Sequence, residues 1–260
     1  MKRFLITVAV AVVALGINSA MAWGKFGHEI VIEVAKRHIT EKTKANIAKY
    51  MPYNITDDAI YMDIHRDDKE IGYTTAWHVY NVDEKYEYDM NPRPYKGDAI
   101  LAMKVVDHNL TKQERLTDSA IVMNIRCLLH FAGDIHCPTH SYVPGPRCFW
   151  PCELNGTKYN AFHKVYDMMP ALVHPNKSCE AVAAEIDNAK KWEIKRIQRG
   201  NYHDWAHDIG SKNAIIYKWN PHNKAVLDPN TVELSRDLVN LQMRNAGYRL
   251  AYLLNKYFDK

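Results

Sequence analysis

The chain has 260 residues, 47% of them hydrophobic, with 34 Lys and Arg against 30 Asp and Glu, for a formal charge of +4. That length can bury the core of one domain or of two small ones, and the apolar fraction excludes a disordered chain. So mild a charge excludes a partner held by a basic surface alone.

Lys2 and Arg3 precede an apolar run over residues 4–15, and Ala20-Met21-Ala22 closes the stretch with an A-x-A cleavage signature. These are the parts of a secretory leader. The run is too short to span roughly 30 Å of hydrocarbon. Cleavage after Ala22 is expected to leave 238 residues that begin at Trp23, with a formal charge of +2 once Lys2 and Arg3 are gone. The mature product, residues 23–260, is expected to be one domain and a monomer, without a membrane anchor, secreted or periplasmic.

Ile30, Val31, Val34 and Ala35 recur at helical spacing and predict a helix over 29–37. "AWHVYNV" fits either a short strand or a loop. "LTDSAIVMNIRCLLHFAGDIH" carries Ile121, Ile125, Leu128, Leu129 and Ala132 on one helical face, with Asp118 or Ser119 expected to cap its start. Pro144, Gly145, Pro146 and Pro151 mark 141–156 as a long loop. "TVELSRDLVNLQMRNAGYRLAYLLNKYF" predicts a last amphipathic helix. The expected fold class is all-α, a single mostly helical domain with one long functional loop.

Five cysteines are present, Cys127, Cys137, Cys148, Cys152 and Cys179, and an odd number leaves at least one thiol outside any intrachain bridge. An exported chain permits disulfides, and a local bridge is expected among Cys137, Cys148 and Cys152. Cys127 reads as a buried thiol. Asn54, Asn109, Asn155 and Asn176 stand in N-x-[ST] sequons, which matter only in a eukaryotic host.

Thirteen histidines give the chain its chemistry. His130 and Asp134 stand four apart on one predicted helix, so imidazole and carboxylate share a face. His163 and Asp167 repeat that pair, and His140 lies just past the end of the first helix. Nitrogen and oxygen donors of this kind suit zinc. His136 is expected to support the ligands from behind. Tyr86, Tyr88 and Tyr95 are expected to pack or to cover the site.

Together these segments resemble the S1/P1 nuclease family of trinuclear-zinc, single-strand-specific nucleases. The family's opening W-G-x-x-G-H is Trp23 to His28 here. Its Asp with an Arg three residues on is Asp63 and Arg66, its H-x-x-N is His78 to Asn81, and its long helix motif is "HFAGDIHCPTH". Its H-x-x-W-D is His163 to Asp167, with Tyr166 in place of Trp. The resemblance implies three zinc ions. One would be held by Asp63, His78, His130 and Asp134, and a second by His140, His163 and Asp167. The third would take His28, Asp134, and the amine and carbonyl of Trp23. A free α-amine has a pKa near 8, so a metal can displace its proton at modest cost, which gives a reason for Trp to come first. The resemblance further implies a phosphodiesterase acting on single-stranded DNA and RNA, and on 3′-nucleotides, with 5′-phosphate products. Asp63 and Arg66 would be its catalytic side chains.

The chain departs from the family near the substrate. Val79 stands where many members have an aromatic, Ala161 where many have Asn, with Asn160 one step further out. "SYVPGPRCFWPCELNG" replaces the usual Gly-Gly-Asn segment, so Phe149 and Trp150 are expected to supply a substitute stacking surface. A zinc phospholipase C and a secreted zinc-binding protein without catalysis are the alternatives. The Trp23-to-His28 spacing and Asp167 as the last ligand favour the nuclease.

Overall fold

The computed structural model describes residues 23–90, 97–142 and 148–260. The expected leader, Tyr95 and residues 143–147 of the expected loop lie outside the described residues. The described chain is mostly helical, as expected. It opens with α1 (Lys25–Lys36), α2 (Glu41–Ala48) and the single turn α3 (Tyr61–Ile64). Strands β1 (Tyr80–Val82) and β2 (Tyr88–Asp89) follow, then α4 (Ala99–Thr111) and α5 (Asp118–Asp134). Strands β3 (Ser141–Tyr142), β4 (Cys152–Leu154) and β5 (Thr157–Tyr159) lead into α6 (Phe162–Val173). The chain closes with α7 (Cys179–Ile186), α8 (Lys191–Gln198), α9 (Tyr202–Asn213), α10 (Ile215–Trp219) and α11 (Thr231–Phe258).

Helix α5 is capped by Thr117, whose hydroxyl accepts from the Ala120 amide at 3.3 Å, rather than by the expected Asp118 or Ser119. Thr117 has the extended backbone that a capping residue needs, while Asp118 is already helical. Helix α1 begins a turn earlier than expected, so His28 lies within it.

The long α11 buries Leu238, Val239, Gln242, Met243, Ala246, Leu250, Leu253, Leu254 and Tyr257, a stripe at helical spacing. It crosses α1 closely. A methyl group on Gly247 would meet the Val34 side chain at 2.5 Å and the Val31 carbonyl oxygen at 2.9 Å. Glycine there lets two backbones approach. The buried apolar residues form one contiguous cluster that includes Trp23. No described helix is long and apolar enough to cross a membrane.

The strands are few and short, but two of them position chemistry. The stretch "AWHVYNV" divides: residues Gly72–His78 form a 3₁₀ turn, and Tyr80–Val82 is β1. Strand β1 pairs antiparallel with β2 and parallel with β3, with Tyr80 opposite Ser141. His78 and His140 lie just before the paired residues, so the ladder sets them side by side. The expected loop over 141–156 contains β3 and β4. Strands β4 and β5 form a hairpin whose turn residues, Asn155 and Gly156, both have positive φ, at 50° and 82°. Asn-Gly adopts that geometry at low cost.

Candidate metal centre

Helix α5 is the base of the site. His130 and Asp134 face the same way, and neither is exposed to any extent. Helix α1 lays His28 across α5 at Gly133, where a methyl group would sit 2.7 Å from the His28 Nδ1. The two imidazoles stack, with ring centroids 4.2 Å apart and planes 12° from parallel. His28 Nε2 then lies 3.3 Å from Asp134 Oδ1, and His130 Nε2 lies 3.3 Å from Asp134 Oδ2.

The 3₁₀ turn before β1 delivers His78, whose Nδ1 is 2.8 Å from Asp134 Oδ2 and 3.2 Å from His130 Nε2. Helix α3 delivers Asp63, whose oxygens lie 3.7 Å from His78 Nδ1 and from His130 Nε2. Arg66 donates from Nη2 to Asp63 Oδ1 at 2.9 Å. His140 and His163 stack in turn, with centroids 4.7 Å apart, and their Nε2 atoms lie 3.8 Å and 3.5 Å from Asp167 Oδ1. His140 also approaches Asp134, at 3.8 Å, so this carboxylate touches both halves of the cluster.

Backbone carbonyls fix the rings. His130 Nδ1–H donates to Ala59 O at 2.9 Å, and His140 Nδ1–H donates to His78 O at 2.6 Å. In His140 this leaves Nε2 without a partner and aimed inward, the arrangement metal-ligating histidines use, and in His130 it turns Nε2 toward Asp134. The backbone amides of Phe162 and His163 donate to Trp150 O and Cys148 O, both at 2.8 Å, which ties the start of α6 to the segment before β4.

The residues fit divalent cations. His28 Nε2, His140 Nε2, Asp63 Oδ2, Asp134 Oδ1 and both oxygens of Asp167 are buried without a hydrogen-bond partner. Each such atom costs about 1–3 kcal/mol, and one cluster of them is satisfied together by cations. His28, His130 and Asp134 bring one ligand atom each within 4.8 Å of one another, and so do Asp63, His78 and His130.

Without cations the two halves differ in charge. Burial opposes charge on His130, but Asp134 and Asp63 outweigh it and lift the imidazole to about 9. Burial also works against the Asp134 carboxylate, yet His130 and His78 hold its pKa well below the usual range. In the other half, burial pushes Asp167 well up and His140 down to about 4. Opposite charges thus favour the charged forms in one half, and burial opposes them in the other. Cation binding competes with protons for these side chains.

Trp23 is wholly buried against Gly27, and the next amide, Gly24 N–H, donates to Asp167 O at 2.7 Å. The N-terminal segment therefore lies along α6 beside the cluster. Val79 is half-buried, and Asn160 is exposed just ahead of α6. Phe149 is 52% exposed, with its ring 5.6 Å from that of His163.

Trp150 corrects an expectation. It is 6% exposed and stacked on Phe162 at 4.5 Å, so its faces belong to the core and cannot hold a base. His136 also departs from its expected role. Its Nδ1–H donates to Ala132 O, and its Nε2 accepts from Arg249 at 2.8 Å, which joins the end of α5 to α11. The expected local disulfide is absent: all five cysteines are free. Cys148 Sγ approaches Thr139 O and His163 Nδ1, at 3.3 and 3.6 Å, and Cys137 turns toward the cluster.

Two residues escaped the sequence reading. Lys164 Nζ lies 3.8 Å from Asp167 Oδ2, a pairing that the i, i+3 spacing on α6 could have suggested. Cys137 Sγ groups with His140 and Asp167, and its place inside the histidine motif was the available signal.

A helical scaffold that gathers buried imidazoles and carboxylates in one cluster has the donors of a metal-binding protein. A model of the S1/P1 nuclease family matches residues 23–259, and the chain belongs to that family. It is therefore a nuclease acting on phosphodiester bonds. Among its relatives, Endonuclease 4 of Arabidopsis thaliana is 25% identical over 209 residues, covering 74% of this chain and 68% of the relative. Endonuclease 2 of the same plant is 22% identical over 267 residues, covering 91% and 90%.

Proposed function

We propose that the chain is an exported, zinc-dependent nuclease that hydrolyses single-stranded DNA and RNA, and 3′-nucleotides, to 5′-phosphate products. The observation that supports this best is the set of buried, unpartnered nitrogen and oxygen atoms brought together from α1, α3, α5, α6 and the turn before β1. Asp63, His78, His130 and Asp134 would hold one zinc, and His140, His163 and Asp167 a second. His28, Asp134 and the backbone of Trp23 would hold the third. Residues 23–260 would form one catalytic domain, acting as a monomer outside the cytoplasm. Bound zinc would lower the pKa of a water to about 7 and offset phosphate charge.

The chain's own groups do the positioning. Asp63 accepts from Arg66, so the guanidinium is held in a fixed direction beside the cluster. A fork so held can bind two phosphoryl oxygens and stabilise charge that grows on them. Lys164 adds a second cation near Asp167. Phe149 offers an exposed ring at the edge of His163, where a base can stack.

The test is the protein beginning at Trp23, compared with one carrying a single Ala in front. The first is expected to bind three zinc ions and to cleave single strands. The second has an amide in place of the amine and is expected to bind about one ion fewer. Equal zinc content and equal rates would remove Trp23 from the ligands. Failure to bind any metal would overturn the zinc reading. Cleavage of phosphatidylcholine but not of single-stranded nucleic acid would transfer the site to the phospholipase C alternative.

A further inference from the structure

Cys137 occupies a place that its sequence neighbours do not explain. It is fully buried, between Asp134 and His140. Its amide donates to Asp134 O at 3.0 Å, and its carbonyl accepts from the His140 amide at 2.9 Å. These consecutive turns bend the chain back on itself. The Cys137 Sγ and one ligand atom each of His140 and Asp167 all lie within 4.8 Å of one another. The thiol's hydrogen-bond contact is with the Thr139 hydroxyl at 3.7 Å, a weak one.

The groups that face it lack hydrogen bonds. Both Asp167 oxygens and His140 Nε2 are unbonded, although Asp167 is 3% exposed and His140 1%. His163 Nε2 lies 3.5 Å from Asp167 Oδ1. An imidazole nitrogen, a carboxylate and a sulfur therefore lie together, and His163 reaches the same Asp167 oxygen that His140 does. Four donors of this mixed kind satisfy a tetrahedral, thiophilic dication such as zinc, and they disfavour magnesium, calcium and manganese.

We infer that Cys137 is a sulfur ligand of the metal held by His140, His163 and Asp167, so that this position is a closed, thiolate-bearing one. The inference rests on the metal centre proposed above. On ligation a sulfur–metal bond forms and the thiol proton leaves to solvent, with no change in oxidation state. The consequence is electrostatic. Two anionic ligands, Asp167 and Cys137, cancel the charge of a dication, where the carboxylate alone would leave one positive charge. A closed, neutral position holds its ion firmly and attracts a substrate oxygen weakly. The open chemistry then falls to the cations around Asp63 and Asp134.

The test uses the whole chain from Trp23 loaded with cobalt(II), whose spectrum reports its ligands. Visible ligand-field bands report occupancy, and a near-ultraviolet charge-transfer band reports a thiolate. The expected result is that the thiolate band is present in the parent protein, lost in Cys137→Ser, and kept in Cys148→Ser and Cys127→Ser. X-ray absorption at the zinc edge of the unmutated protein gives a second reading that needs no variant, with a sulfur shell expected at about 2.3 Å. Ligand-field bands without a thiolate band, and no sulfur shell, would overturn the role of Cys137 while leaving the metal centre intact. Loss of the band in Cys148→Ser alone would overturn it in favour of the other sulfur. A protein that binds no cobalt and no zinc would overturn both the inference and the reading beneath it.

Discussion

Gly133→Ala tests how α1 and α5 hold the metal centre. The added methyl group would lie 2.7 Å from His28 Nδ1 and 3.0 Å from Cε1, about 0.7 Å short of an ordinary contact at 3.4 Å. His28 has little room to yield, because it is fully buried and stacked on His130 at 4.2 Å. Crowding of this kind costs about 1–3 kcal/mol. Alanine returns about 1 kcal/mol as the better helix former. The metal-free variant should therefore lose about 0–2 kcal/mol. The larger effect falls on the metal. Displacing His28 disturbs its 3.3 Å approach to Asp134, and disturbed ligand support lowers metal affinity about 10–100-fold. At a fixed excess of zinc, the stabilisation that binding adds should shrink by about 1.4–2.7 kcal/mol. Unfolding of both proteins, with and without zinc, together with bound zinc per chain, measures it. If Gly133→Ala binds the same zinc and gains the same increment of stability, the close approach does not position His28 and the reasoning fails.

Phe149→Ala should raise KM for single-stranded substrates about 5–150-fold, the equivalent of one stacked base at about 1–3 kcal/mol, with stability changed by less than about 0.5 kcal/mol. Trp150→Ala should instead lower stability by about 3–5 kcal/mol, so the idea is wrong if Phe149→Ala leaves KM unchanged. Asp187 accepts from Arg37 at 2.6 Å and from His38 and Tyr248, both at 2.8 Å. Burial pushes its carboxyl up, but these bonds win and hold it below the usual carboxylate value. A depressed pKa contributes stability in full above the unfolded value near 3.9, and that stability is lost as pH falls through the folded value. Asp187→Asn should therefore cost about 1–3 kcal/mol at pH 7, and denaturant curves should show the gap closing below about pH 4. A gap that stays constant to pH 2 would contradict this account.

The helical elements were legible because their signal is periodic. The α11 boundaries coincide with the expected stretch, since its apolar stripe runs unbroken from cap to end. The ladder joining β1 to β3 was not legible: a pair of two-residue contacts has no period, and its register depends on where α5 ends. Ligand residue types could be named from spacing and from the family motifs, but their directions could not. Nothing in the order Phe149-Trp150 says that one ring faces outward while its neighbour stacks on Phe162. His136 and Cys137 are adjacent in the histidine motif, yet the end of α5 sends them opposite ways, one to Arg249 and the other toward Asp167. The cysteine was read as half of a disulfide because an exported chain permits one; only its place in space revealed a different use.

The crossing of α1 by α11 at Gly247 sets an order of events during folding. Ile30, Val31, Ile32, Val34 and Ala35 are wholly buried in the finished protein. Much of their cover is a helix that begins at Thr231, some 200 residues later in the chain. While the chain is synthesised from its N-terminus, α1 waits with that surface uncovered, and its pairing must close a loop spanning nearly the whole protein. His28 rides on α1, so its alignment over Gly133 is among the last things to be established. A chain interrupted before α11 would carry every donor of the centre and still lack the helix that covers α1, on which His28 lies. Occupancy of that centre is thus a mark of a chain that has been finished.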